Sequence, residues 1–170
     1  MLYAYAIRRM AYLYGSSPDA LNSKMSAPSR PLELSVLPEQ FIVARLAANA
    51  SLPTWATQGR FFSSTRTPDE LSIVCAVEQV PEAFGSHVRW RAFKVRGPMA
   101  LTEIGVLVSL ATPLAAAGIS VFVISTFETD YVLVNSEQLS CAIAVLQEAG
   151  HKVDEANIAF SRVSGEQRND

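Results

Sequence analysis

Two carboxylates in the second half of the chain stand beside groups that can donate hydrogen bonds. Glu103 directly follows Thr102, where an apolar helical pattern begins, and Asp130 stands at the mouth of a β-hairpin between two apolar strands. A ligand that carries a positive and a negative group a few ångströms apart needs acceptors beside donors in a partly dry groove. The sequence provides both kinds of group.

A helix that starts near Thr102 would supply the donors. Its first turn exposes unpaired backbone N–H groups and the favourable end of the helix dipole, which suit a ligand carboxylate if Gly105 allows close approach. Asp130 can accept a charge-assisted hydrogen bond from the ligand ammonium, and Thr126 with the carbonyls of the turn completes the acceptor set. Phe127 would exclude water from the groove.

Each of these residues also has an explanation that needs no ligand. Glu103 favours a polar or cationic ligand side chain, but the helix dipole alone also favours an acid in a first helical turn. Asp130 is typical of an Asx-type turn, and Phe127 suits an ordinary core position or a dimer contact. Gly105 suits a helix that packs close to its neighbour. The sequence leaves both interpretations open.

Composition argues against several other functions. The 170 residues are 49% hydrophobic with a formal net charge of −2, which predicts a compact protein without the basic surplus that nucleic-acid binding needs. Cys75 and Cys141 lie in apolar stretches and predict buried, reduced thiols. His87 and His151 lack metal-ligand spacing, and no apolar run reaches the length of a membrane span. We therefore expect no metal, no cofactor, no nucleic-acid partner and no membrane partner.

Motifs of common enzymes are missing as well. The sequence contains none of the patterns GxSxG, GxGxxG, HExxH and CxxC, and it has no Walker loop. Glu103 and Asp130 could act as a carboxylate pair, but only the helix terminus is available to stabilise an oxyanion. We therefore expect that the chain is not an enzyme, with a regulatory subunit of an amino-acid metabolic enzyme as the alternative.

Turn-forming clusters divide the first half, from Pro31 to Val80, into short β-rich runs. One helical turn is expected at 53–56, and four strands are expected in LELSV, QFIVARLA, RFFSSTRT and LSIVCAV. This half is therefore predicted to be mostly β-structure.

The hydrophobic pattern of the second half predicts helices as well as strands. We predict a strand at 90–95, followed by a helix with Thr102 as its N-cap and Gly118 just past its end, which Pro113 kinks or restarts. A central hairpin of two short, buried strands is expected at 119–125 and 130–134. Asn135 or Ser136 caps a second helix, Gly150 ends it, and a last strand follows at 151–153. The apolar stripe of that helix is Leu139, Ala142, Ile143 and Leu146.

The order strand, helix, strand, strand, helix, strand predicts an α+β fold. It specifies a ferredoxin-like βαββαβ sandwich in which both helices cover one face of an antiparallel sheet. The first half partly repeats this unit, and two such units packed side by side would bury each other's sheet edges.

The first thirty residues differ in composition from the rest and are expected to be a flexible extension or a targeting segment. We expect the natural start to be either Met1 or Met25. We expect a cytoplasmic protein, or a mitochondrial one if 1–24 is a transit peptide. The polar segment 159–170 is expected to be a mobile tail.

Two segments resemble a known family. ISVFVISTFETDYVLV, preceded by GPMALTEIGVLVSLATPLAAAG, is similar to the ACT repeats of arginine-sensing proteins of the TOR pathway and of small bacterial two-repeat ACT proteins. FFSSTRTPDELSIV is similar to the degenerate leading repeat of the same proteins. The resemblance runs from Leu34 to Val153. It implies an ACT domain at 87–158 beside a degenerate ACT-like repeat at 31–86.

The resemblance also implies that a free amino acid or similar small zwitterion binds at an interface between two ACT units. The other unit would contribute Ser120 and Val121 at the start of the central strand. Because this chain has one complete unit, a two-fold homodimer with two equivalent sites is implied. From the first helix and the hairpin turn, one unit would contribute Glu103, Val106, Thr126, Phe127 and Asp130.

Two positions depart from the arginine-sensing pattern, where Ala100 replaces a glycine and Thr129 replaces a second aromatic residue. The methyl group narrows the approach to the backbone, and the lost ring removes a surface for a guanidinium. Both are possible specificity residues, and the expected ligand is an amino acid in general. The predicted function is an amino-acid-binding regulatory or sensor protein with a possible protein effector. The alternative is a ligand-free module for dimerisation or docking.

Overall fold

The computed structural model describes residues 31–82 and 88–156. The extension at 1–30, the tail at 159–170 and His87 lie outside the described residues. Single 3-10 turns occupy Thr54–Thr57, Val77–Gln79 and Ser136–Gln138. The described helices are α1 (Val106–Ala116) and α2 (Leu139–Glu148). The described strands are β1 (Glu33–Val36), β2 (Phe41–Leu46), β3 (Phe62–Arg66), β4 (Leu71–Ala76), β5 (Trp90–Val95), β6 (Val121–Ser125), β7 (Asp130–Asn135) and β8 (Lys152–Asp154).

All four predicted strand runs of the first half are confirmed, and so is the helical turn near Trp55. In the second half, the elements β5, α1, β6, β7, α2 and β8 follow the order of the ferredoxin-like sandwich. The α+β fold is therefore confirmed.

Strand β5 is the centre of a single eight-stranded sheet. Along one edge it pairs antiparallel with β1 and, at one position, with β2, while β7 and then β6 continue the sheet on the other edge. Strands β4 and β3 follow β2.

One strand of the first half belongs to the sheet of the second half. β1 lies between β5 and β8, and its pairing with β8 is parallel, so the sheet departs from the fully antiparallel expectation. The Glu33 carboxylate of β1 contacts a basic residue on each side. It pairs with Arg96, which follows β5, and it lies 3.5 Å from Nζ of Lys152 in β8. The Arg96 guanidinium, with Lys152, lowers the pKa of Glu33 from its ordinary value.

Both helices pack on one face of this sheet and bury a continuous apolar core. The predicted stripe of α2 is buried, as expected, and each large aliphatic side chain buried in such a core contributes about 1.5–3 kcal/mol. The largest fully buried members of this core are Phe93, Leu110, Leu114 and Leu146 together with Val36 of the first half.

Strands of the first half fold over the opposite face of β5 and β7. Phe41 and Val74 pack there against Ala92 and Leu133. The ring of Phe61 lies 5.4 Å from that of Phe41 and 4.8 Å from that of Tyr131, measured between centroids. The two halves therefore share one sheet and a second apolar cluster.

The two cysteines differ in burial. Cys75 lies in the core between β2, β4 and the turn at Ala56, and its burial raises the pKa of the thiol to about 11. Cys141 is exposed on α2, so the prediction of a buried thiol was wrong there. An apolar helix stripe buries only one side of the helix, and Cys141 stands outside the stripe.

Strand β6 also differs from expectation. It was predicted as a buried central strand, but it pairs only with β7 among the described strands, and Val123 and Ser125 are exposed. A run of β-branched residues indicates a strand without indicating its neighbours. Among the described residues, no helix has the length and apolar character required to cross a membrane.

Candidate functional site

The loop after β5 is tied to the hairpin turn between β6 and β7. The N–H of Met99 donates to the Glu128 carbonyl at 2.9 Å, and the Thr129 hydroxyl donates to the Val95 carbonyl. Gly97 allows this approach, because a Cβ there would lie 2.7 Å from the Glu128 oxygen. These contacts fix the distance between the loop and the turn.

A groove of about 300 Å³ lies between this loop, the start of α1 and the hairpin turn. Its size is at the lower end of the range for small-molecule sites. The residues that the sequence pointed to and that line it are Ala100, Glu103, Val106, Thr126, Phe127, Thr129 and Asp130.

The start of α1 forms one wall of this groove. The helix begins at Val106, with Gly105 at the N-cap, so the prediction of Thr102 as N-cap was wrong. The apolar spacing from which the helix was predicted includes Ile104, but Ile104 precedes the helix and is 93% exposed. Glu103 consequently precedes the helix, in a turn where its N–H donates to the Ala100 carbonyl.

Gly105 has φ of +89°, and a Cβ there would meet nothing within 4 Å. The close packing suggested as one reason for this glycine is therefore wrong, since the requirement is conformational. Within the described part of the chain no side chain caps the helix, and the first intrahelical bond is donated by the Ser109 N–H to the Gly105 carbonyl. The N–H groups of Val106, Leu107 and Val108 precede that bond and are left for a ligand or water.

The hairpin turn forms the opposite wall. Asp130 pairs with Ser125 across the hairpin, and both residues lie on the face of the sheet that carries the helices, two positions from buried Val132. The Thr126 hydroxyl donates to the Thr129 carbonyl at 2.8 Å. Among the described residues, no backbone N–H donates to the Asp130 carboxylate, so the Asx-type turn is not formed.

The groove is acidic. Three carboxylates line it, those of Glu103, Glu128 and Asp130, and none of the described lining residues is Lys, Arg or His. None of the three carboxylates has an ion-pair partner within 31–82 or 88–156. The positive end of α1 is the single feature of the described wall that favours an anionic group.

Two of the candidate residues lie elsewhere. Val121 pairs with Val134 at the far end of β6, four residues from Ser125, which corresponds to about 13 Å along a strand. Ser120 directly precedes it and is exposed. Seven of the nine candidate residues therefore line the groove, and Ser120 and Val121 of the same chain lie outside it.

Sequence reasoning missed several lining residues. All of them are sequence neighbours of the hairpin turn or of the helix start. This adjacency could have identified them, because the residues that flank a turn or a helix start line the same cleft. These residues are Met99, Leu101, Leu107, Val108, Ser125 and Glu128.

The conformation of Gly105 gives a stability prediction. Gly105→Ala places a Cβ at positive φ and lowers the free energy of unfolding by about 1 kcal/mol. Urea unfolding followed by circular dichroism measures the loss. Gly118→Ala is the matched control, because Gly118 also has positive φ but does not line the groove. A loss below experimental error at Gly105 alone would contradict the positive-φ requirement.

Comparisons with known proteins agree with this architecture. A family model described as an ACT domain matches residues 86–148, and a model of an N-terminal domain matches 39–83. The crystal structure of protein Atu0741 from Agobacterium tumefaciens is 38% identical, covers 75% of this chain and 95% of its own, and has a TM-score of 0.68. Protein VC0802 from Vibrio cholerae is 21% identical, covers 69% of this chain and 89% of its own, and shares the fold with a TM-score of 0.58.

A curated relative from Rattus norvegicus is named cytosolic arginine sensor for mTORC1 subunit 1. It is 41% identical over 59 residues, which are 34% of this chain and 18% of the relative. The match thus covers less than a fifth of that relative's length. Together with the βαββαβ order and the matched family model, the similarity over nearly the whole of Atu0741 leads to one conclusion: the chain belongs to the ACT-domain family.

Proposed function

We propose that this chain is a regulatory protein that binds a free amino acid in the groove between the start of α1 and the hairpin turn. One observation carries the proposal: the uncapped first turn of α1 and the carboxylate of Asp130, which has no ion pair among the described residues, line the same groove. The name of the rat relative, an arginine sensor, supports an amino-acid ligand. The ligand carboxylate binds the N–H groups of Val106 to Val108, and its ammonium binds Asp130.

The ligand side chain is polar or cationic. Glu103 and Glu128 add two further carboxylates to the groove, which favours a positive group and disfavours an acidic one. Glu103 and Met99 also border a neighbouring pocket of about 530 Å³, which Arg96 and Lys152 line as well, so a cationic group is placed in the groove itself. Thr129 acts on specificity through its methyl group and size, because its hydroxyl is bonded to the Val95 carbonyl.

The groove of one chain is too open to bind tightly. A carboxylate at a helix start gains about 0.3–1 kcal/mol at an exposed site, and one charge-assisted hydrogen bond contributes about 1.5–3 kcal/mol. Phe127 is 78% exposed, so it does not exclude water from the groove by itself. The site therefore needs a further wall.

A second copy of the chain supplies that wall. The N–H of Thr126 donates to the Thr129 carbonyl across the hairpin, and the alternation of an antiparallel ladder then directs the backbone groups of Val123 towards the open edge of β6. A two-fold axis beside Val123 pairs the two β6 strands. It places Ser120 and Val121 of the partner subunit beside Thr126 and Ser125 of this one.

The neighbouring helix is compatible with such an interface. α1 contains no charged residue, and Leu107 and Val108 are exposed at 36% and 43%. Apolar surface of this kind is typical of an interface between subunits. The homodimer is thus supported by an open strand edge and an uncharged helix on the same side.

A thermal-shift screen against the twenty amino acids tests the function. A ligand at 100 times its dissociation constant stabilises the fold by about 2.7 kcal/mol, an upward shift of several degrees. Lysine and arginine are expected to shift the transition most, and aspartate and glutamate not at all. If no amino acid shifts it at millimolar concentration, the chain is a ligand-free dimerisation or docking module instead.

A further inference from the structure

We infer that His151 is a positioning residue that couples the groove to strand β1 of the first half through a buried chain of hydrogen bonds. His151 does not line the groove, and it is 6% exposed. The identity of the groove comes from the proposed function, whereas the bonds of His151 are independent of it.

Pro113 leaves one carbonyl of α1 without its helical partner. Proline has no backbone N–H, so the carbonyl of Ser109, four residues earlier, lacks the bond that a helix interior normally supplies. Ser109 is buried, and its carbonyl lies 3.3 Å from Nε2 of His151. The imidazole therefore replaces the missing donor, and α1 continues through Pro113 as one helix.

The other nitrogen of the ring binds the first half. The N–H of Leu32 donates to Nδ1 of His151 at 3.2 Å. An imidazole that accepts at Nδ1 carries its proton at Nε2, so a single neutral tautomer satisfies both bonds. The N–H of Lys152 donates to the Leu32 carbonyl at 2.8 Å, which continues the parallel pairing of β1 with β8.

Ser109 carries the connection on to the groove. Its hydroxyl donates to the Val106 carbonyl at 2.7 Å, and its N–H donates to the Gly105 carbonyl. Val106 is the first residue of α1 and lines the groove. The bonds therefore run from Leu32 through His151 and Ser109 to the turn that presents N–H groups to a ligand.

This chain of bonds has a functional consequence. When the His151 bonds are lost, the first turn of α1 and the docking of β1 loosen together. The amides that bind the ligand carboxylate are then less well positioned, so affinity falls without the loss of any residue that touches the ligand. In the opposite direction, a bound ligand favours the docked state of β1.

Amide hydrogen exchange on full-length variants tests the coupling residue by residue. His151→Leu removes donor and acceptor, and it speeds exchange at 32–36 and 109–112 by about tenfold or more. His151→Gln keeps one donor and one acceptor on a planar group and restores most of the protection. Pro113→Ala supplies the helical N–H, so the double variant P113A/H151L regains protection in α1 but not in β1.

That split outcome separates coupling from a simple loss of packing. Equal exchange at 32–36 in wild type and H151L, or no recovery of 109–112 in P113A/H151L, would overturn the inference. If H151L does not fold, H151Q is compared with His151→Asn, whose shorter amide cannot span both partners. Protection in H151N equal to that in H151Q then overturns it as well.

Millimolar L-arginine provides the ligand readout on the same variants. Its thermal shift is expected to shrink in H151L and to recover in P113A/H151L, because α1 is repaired there. A shift unchanged in H151L overturns the coupling to the groove. If arginine and the other amino acids fail to shift even the wild type, the proposed function fails, while the exchange pattern still decides the role of His151.

Discussion

Asp130→Ala removes most of the thermal shift that an amino acid produces in the wild-type protein, and it changes the stability of the unliganded chain by less than about 1 kcal/mol. The carboxylate lies in the groove opposite the start of α1 and has no ion pair among the described residues, so its removal breaks no ion pair there. The ligand ammonium instead loses its charged acceptor. A loss of about 2–4 kcal/mol corresponds to affinity weakened roughly thirtyfold to a thousandfold.

Two further variants separate the charge of Asp130 from its shape. Asp130→Asn keeps the size and removes the charge, and it is expected to lose nearly as much affinity as Asp130→Ala. Glu137→Gln is the matched control, because Glu137 is an exposed carboxylate that does not line the groove. Isothermal titration with the amino acid that shifts most provides the dissociation constants. Retained affinity together with a large loss of stability in Asp130→Ala would assign this residue a structural role.

Local sequence patterns predicted helices and strands well where the periodicity or the length of an apolar run shows which residues are buried. The stripe from Leu139 to Leu146 identified α2, because a helix buries one face. The run LELSV identified β1 for the same reason, whereas LSIVCAV identified β4 as a nearly continuous apolar run that buries both faces of the strand. Seven of the nine candidate residues lie in one groove, since the loop and the turn that carry them are neighbours in the fold.

Long-range pairing accounts for what the sequence did not reveal. The run at 119–125 has the same composition whether its strand is central or at an edge. Val123 is exposed because β6 pairs with β7 alone among the strands that the structure describes. The insertion of β1 beside β8 depends on Leu32 and His151, which are 119 positions apart in sequence. The start of α1 is set by the positive φ of Gly105. The apolar residue before it, Ile104, extended the helical pattern in the sequence although it is exposed and precedes the helix.

The open edge of β6 leads to the second large effect, on assembly. In the proposed dimer, Val123 exchanges backbone hydrogen bonds with Val123 of the partner subunit across the two-fold axis. The N–H of Val123 points away from β7, so Val123→Pro removes a donor from the interface and leaves the β6–β7 ladder intact. We expect the wild type to be a dimer at micromolar concentration and Val123→Pro to be a monomer, by sedimentation velocity.

The same variant connects assembly to binding. Because the partner's Ser120 and Val121 complete the groove in the proposed dimer, the Val123→Pro monomer loses the amino-acid thermal shift although it retains Asp130 and the start of α1. Val123→Ala, which keeps the backbone donor, is the matched control and is expected to remain dimeric and responsive. Unchanged far-UV circular dichroism verifies that the monomer is folded. If the monomeric variant still binds with wild-type affinity, one chain contains the whole site. If the wild type is itself a monomer, β6 does not pair with a partner and Ser120 and Val121 have no part in the site.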